Sequence, residues 1–206
     1  MIGRRRVLLL AAGVVLAPRR TFAQAAVLGP GDVLRGRFVQ ERHLSGFSIP
    51  IRSAGDFVLS PGEGLIWRVA KPIATTTVVT PAGLLQLAAD GREVTRLPAA
   101  RAPFLARLFD LLNAVLQGNL GELERVFIVT RQPEGGRERL YLVPRRPEDI
   151  AASRVQSIAV TMGRFAEDVE IRRADDDFDR LAFVDQTAAK VPLTDEEAKL
   201  FAACRS

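Results

Sequence analysis

Cysteine, histidine, tryptophan and tyrosine each occur once in the 206 residues, and methionine twice. The single cysteine, Cys204, has no partner for an internal disulfide and reads as a tolerated thiol near the C-terminus. The single histidine, His43, would have to carry alone any general-base, nucleophile-activating or zinc role. Placed between Arg42 and Leu44 at the end of a strand-like segment, it reads as a surface or turn histidine. No glycine-rich loop follows a strand and opens a helix in the manner of a phosphate site, and no serine has a nucleophile context. The carboxylate pairs Glu122/Glu124 and Asp168/Glu170 alternate along strand-like segments and read as solvated. Asp175-Asp176-Asp177 lacks the spaced ligands and final glutamate of a calcium loop, which leaves a solvated turn. These gaps argue against an enzyme and against any metal or cofactor.

Acidic residues are also missing from one place, positions 1 to 25, where five of the 29 basic residues lie. Arg4 to Arg6, an apolar run from Val7 to Ala17 and the small-x-small site Ala23-Gln24-Ala25 together read as a cleavable secretory signal. The run is too short to cross a bilayer core, which needs about 20 residues. Sec export is the default reading, with twin-arginine export the alternative offered by the paired arginines. Residues 26–206 then form one domain and keep 24 basic against 24 acidic residues. Nothing in that balance points to nucleic acid, whatever the isoelectric point of the whole chain.

What is present is a series of period-two segments. Val33 to Leu44 reads as the first strand, with Gly36, Phe38 and Gln40 on one parity. Three strands follow between Ile49 and Val79, broken at Lys71-Pro72, and two more lie at Leu84–Ala89 and Arg92–Leu97 around Asp90-Gly91. In the stretch from Ser53 to Pro72, Gly55, Phe57 and Leu59 share one face of their strand, and Leu65, Trp67 and Val69 share one face of the next. Pro61-Gly62-Glu63-Gly64 supplies the reversal between them. Two readings stay open for this face: a packed core around Trp67, or the lining of an apolar cavity.

Pro98 to Gln117 is the convincing helix. At about 100° per residue, its apolar side chains fill an arc of roughly 160°, wider than a helix needs to sit on a sheet. Strand signals resume at Leu123–Thr130, Arg139–Val143, Val155–Met162, Ala166–Arg172 and Phe178–Val184, with one helical turn between Pro147 and Ala152. Thr194 and Glu197 mark the start of a last helix to Ala203. The fold class expected is mainly β (α+β). It is an incomplete, strongly curved antiparallel barrel of about ten to eleven strands, with helices over the concave face.

In order and spacing the chain resembles the LolA family, the periplasmic carriers of outer-membrane lipoproteins, in a LolA-related branch. The resemblance rests on FVQ at Phe38–Gln40, the small-Gly-x-Phe at Ser53–Phe57, Trp67 followed by Lys71-Pro72, and the acidic-aromatic strand Asp177 to Val184. It covers nearly all of residues 26–206. It implies a periplasmic, monomeric carrier without catalysis or cofactor. The implied partners are an acylated lipoprotein or other lipid as cargo, an inner-membrane donor complex and an outer-membrane acceptor. On that reading Phe38, Phe57, Leu59, Leu65, Trp67 and Val69 line a lipid cavity, and Phe104, Leu108, Leu112 and Val115 form its lid. The chain departs from the family pattern in two ways. Ser60 precedes Pro61 where the family usually has an arginine tied to cargo release, and the long N-terminal helix is nearly absent. A non-catalytic interaction module with a dry core is the competing class.

Overall fold

The computed structural model describes residues 28–101, 120–146 and 155–206. Alternating apolar and polar side chains, punctuated by Gly- and Pro-bearing turns, become eleven strands. These are β1 (Val33–His43), β2 (Ile51–Ser60), β3 (Gly64–Lys71), β4 (Thr75–Thr80), β5 (Gly83–Ala88) and β6 (Glu93–Pro98), then β7 (Phe127–Glu134), β8 (Arg137–Pro144), β9 (Val155–Met162), β10 (Ala166–Arg173) and β11 (Phe178–Ala189). Two described α-helices are α1 (Leu120–Val126) and α2 (Asp195–Arg205). All neighbouring strands run antiparallel in one sheet of order β6-β5-β4-β3-β2-β1-β11-β10-β9-β8-β7. Its margins β6 and β7 do not pair, so the barrel stays unclosed, as the strand pattern predicts.

Parity divides the sheet into two faces, and each carries its own core. On the Trp67 face, Leu34, Phe38, Phe57, Leu59 and Leu65 join Leu140, Leu142, Ile158 and Val160 from the far half of the sheet, with Leu123 of α1 packed among them. On the opposite face, Val58, Ile66, Val78 and Leu85 pack against Phe201 and Cys204 of α2. The C-terminal helix therefore covers the face away from Trp67. Cys204 is a buried member of that second core rather than a loose terminal thiol.

α2 is fixed at its start by the expected capping box, in which Thr194 accepts from the Glu197 amide and Glu197 accepts from the Thr194 amide. The buried Glu197 carboxylate also takes a two-point contact from Arg35 of β1, at 2.9 and 2.6 Å. The Arg35 hydrogen bond holds the carboxyl below the ordinary glutamate range, although burial alone would raise it. A depressed folded value means that this stabilisation is complete above the unfolded pKa and is lost as pH falls through the folded one. Glu197→Gln should thus lower the urea midpoint at neutral pH but leave it close to that of the parent at strongly acidic pH. An equal deficit at both would show that Glu197 contributes by packing alone.

Two boundaries differ from the sequence expectation. Leu123–Val126 is helix, not strand, so Glu122 and Glu124 lie on α1 rather than alternating along a strand. The apolar spacing Leu120, Leu123, Val126, Phe127 satisfies a 3.6-residue period as well as a strand start, and the helical choice seats Leu123 in the core. β11 also continues five residues past Val184 to Ala189. Its polar Asp185-Gln186-Thr187 looks like an ending, yet Asp185 adopts φ 53° at a register shift opposite Arg35–Arg37, and pairing resumes to Val33↔Ala189. The segments expected at Pro98–Gln117 beyond Arg101, and at Pro147–Ala152, lie outside the described residues.

Candidate functional site

Cross-strand register brings the predicted aromatic residues together. Phe57 of β2 lies opposite Gly36 of β1 and Trp67 of β3, while Phe38 lies opposite Gly55 on one side and Phe183 of β11 on the other. Phe38 and Trp67 stack with ring centroids 3.6 Å apart and planes at 22°. Phe57 is 6.2 Å from Trp67, and Phe183 stands edge-on to both, 5.4 Å from Phe57 and 6.1 Å from Trp67. The edge-on contacts of Phe183 and the wider Phe57–Trp67 pair are arrangements that ring quadrupoles favour, whereas Phe38 and Trp67 lie nearly face to face at van der Waals distance. Leu59 and Leu65, paired to each other at the closed end of the β2–β3 hairpin, extend the face beyond the rings.

Burial along this face is graded. Phe38, Phe57, Leu59 and Leu65 are buried, while Trp67, Val69 and Phe183 are half-buried at its rim. β2 runs from exposed at Ile51 to buried at Leu59 and Ser60, and β3 runs the other way, from buried Leu65 to exposed Lys71. The apolar surface is thus sealed at the β2–β3 turn and open at the other end of the strands. Ser60, at the family's usual arginine position, is buried at the sealed end, and its carbonyl accepts from the Glu63 amide to close the turn.

Toward the open end the same face turns polar. Asp179 of β11, a buried carboxylate, accepts from Arg42 Nε at 2.8 Å, is paired with Arg173, and lies 3.4 Å from Gln40 Nε2. Burial pushes the Asp179 carboxyl up, but hydrogen bonds and charge from Arg42 and Arg173 outweigh it and hold the group below the usual aspartate range. Two arginines therefore satisfy one buried carboxylate at this rim, with the acidic turn Asp175–Asp177 close by in the β10–β11 connection.

Asp179 and Phe183 are site residues that sequence reasoning did not single out. The signal was available in the parity of Asp179, Leu181 and Phe183, which is continuous with Phe38 across β1. His43 stacks on Phe178 with centroids 4.2 Å apart and lies 3.6 Å from Glu41, a side-chain environment at the end of β1. Glu170, expected to be solvated, is partly buried and held below the usual glutamate range. Burial opposes that shift, and Arg180 and Arg172 overcome it. Asp175 and Asp176 are exposed as expected, and Asp177 accepts from the Ser45 amide at 2.7 Å.

Where β10 and β11 part after the pair Asp168↔Ala182, a cavity of about 410 Å³ opens beside Phe183, walled by Phe165, Glu167, Asp185 and Gln186. Gln186 Nε2 spans the gap to the Ala166 carbonyl at 2.7 Å. The six predicted lining residues do not wall this cavity. The predicted lid residues Phe104, Leu108, Leu112 and Val115 lie outside the described residues. Among the described residues there is no cluster of histidine, cysteine and carboxylates fit to hold a metal ion, and no helix long and apolar enough to cross a membrane.

Among curated proteins none matches the chain. Among solved structures it is similar to a chain of the Pseudomonas aeruginosa MucA/MucB complex, at 13% identity and a TM-score of 0.43, over 80% of this chain and 54% of that one. The chain therefore spans about half the length of that neighbour. It is also similar to a LolA superfamily protein from Nitrosomonas europaea, at 8% identity and a TM-score of 0.39, over 82% of this chain and 91% of the other. Over residues 23–202 the chain matches the model of the family described as outer membrane lipoprotein carrier protein LolA-like, and it belongs to that family.

Proposed function

We propose that this protein is an exported carrier that holds the acyl chains of a lipoprotein or related lipid against the Trp67 face and moves them through the periplasm from inner to outer membrane. The observation that carries this reading is the graded apolar face, with rings stacked at its centre, a sealed end at the β2–β3 turn and an open end rimmed by Arg42 and Arg173. Membership of a carrier family supports it, as does the signal-like character of residues 1–25.

No bond in the cargo needs to be made or broken. An exposed methylene costs about 0.8 kcal/mol in water, so enclosing about 12 of them is worth at most roughly 10 kcal/mol before ordering costs. Phe38, Phe57, Leu59, Leu65, Trp67 and Val69 supply the apolar wall, and Phe104, Leu108, Leu112 and Val115 the cover. Release then requires a tighter outer-membrane acceptor or an opening of that cover. With Ser60 in place of the arginine associated with cargo release, the cargo class extends beyond lipoproteins to other acylated or polyene lipids.

Native mass spectrometry of the protein purified from its own periplasm tests the reading, with adducts of lipid mass as the expected result. Trp67, the only indole in the chain, reports on the face directly. Its emission should shift to shorter wavelength as lipid displaces water from the half-buried rim. A bare protein together with unaltered emission at saturating lipid would instead favour an interaction module with a dry core.

A further inference from the structure

The four most conspicuous exposed apolar side chains at the open end of the face lie on two neighbouring connections. Phe47 and Ile49 sit in the β1–β2 loop, Ile51 begins β2, and Ile73 lies in the β3–β4 loop. They are 74, 79, 54 and 75% exposed. Register places the two connections side by side, because Ile51 pairs with Arg42 at the end of β1 and Ala54 pairs with Lys71 at the end of β3. A soluble surface seldom gathers large apolar groups on adjacent loop tips without a partner for them. From these positions we infer that the open end docks on a phospholipid bilayer, with Phe47, Ile49 and Ile73 entering the headgroup layer.

Three features select a bilayer over a protein partner. The apolar groups stand on loop tips beyond the strand ends, a placement that suits insertion between headgroups. The chain from Leu44 to Ser53 and from Val69 to Thr76 contains no acidic residue; Arg52 is paired with Glu41 of β1 at 2.9 Å, and Lys71 at the end of β3 is the cation beside the tips that suits anionic headgroups. The tips also continue the face whose burial fades toward them, so a docked protein would present the open end of the Trp67 face to the lipid. The acidic turn Asp175–Asp177 is tied to the base of the β1–β2 loop through Ser45, so insertion is driven by the apolar tips more than by charge.

This inference goes beyond the carrier reading and does not require it. Co-sedimentation of the purified protein with vesicles of phosphatidylethanolamine and phosphatidylglycerol should show partitioning. The variant Phe47→Ser/Ile49→Ser/Ile73→Ser should partition about tenfold less or weaker, with its melting temperature unchanged because the replaced groups are exposed. Val191→Ser, an exposed position just after β11 at the opposite end of the strands, serves as the control and should sediment like the parent. Equal partitioning of the triple variant and the parent, or no partitioning by the parent, overturns the docking inference. Lipid adducts on a protein that does not sediment would sink docking alone, whereas sedimentation without adducts would sink the carrier reading alone.

Discussion

Adding one methyl group at Gly55 should destabilise the protein by roughly 3 kcal/mol, the upper end of what overpacking costs. A β-carbon there would fall on the backbone carbonyl of Arg68 in β3, well inside contact distance, and within 3.0 Å of Val69 Cα. The obstacle is backbone rather than a side chain that can rotate away, and it sits at the register shift between Ala54 and Gly55 where β2 and β3 draw close. Gly55 has a second role in the site. Phe38 belongs to β1 and Trp67 to β3, two strand spacings of about 4.8 Å apart, yet their rings stack at 3.6 Å. They can meet only by leaning over β2, where Gly55 leaves the sheet bare. Gly55→Ala should therefore lower the urea midpoint and also redshift Trp67 emission in the folded protein as the stack loosens. Ser53→Ala, one step along the same face, should do neither. A Gly55→Ala protein with parental stability and emission would refute this account of the ring stack.

Phe201→Ala should cost about 4 kcal/mol, because a fully buried phenyl group is lost from the seam between α2 and the sheet. For a domain of this size that corresponds to a melting temperature lower by about 12 °C. Phe201 packs on Val58, Ile66 and Val78, the parity opposite to Phe57 and Trp67. The response of Trp67 to added lipid should therefore survive in the variant below its melting temperature. A loss of stability coupled to a loss of that response would mean that the two faces communicate through the sheet. A loss under about 1 kcal/mol would mean that α2 is only loosely seated.

Much of this was readable from the residues because period-two patterning is a local signal. The β2–β3 hairpin shows it best. Its turn residues Pro61 to Gly64 and the alternation of Phe57, Leu59, Leu65 and Trp67 place four side chains on one face before any contact is known. The capping box at Thr194 and Glu197 is equally local. What could not be read depends on partners distant in sequence. Asp179 is an ordinary strand aspartate until β1 and β10 bring Arg42 and Arg173 to it. Arg35 gives no sign that it will grip a carboxylate 162 positions away. The helical state of α1 was a matter of competing periods in seven residues, decided by the core that Leu123 enters. The face chosen by α2 was likewise hidden, since Phe201 and Cys204 fit either side until Ile66 and Val78 are seen to lie bare on one of them.

That β6 and β7, the margins of the described sheet, do not pair with each other has a mechanical meaning. A ring of strands has a circumference set by its hydrogen-bond ladder and cannot widen without breaking rungs. A sheet whose two margins do not meet has no such constraint. Its curvature can change through twist alone, with every rung between neighbouring strands kept.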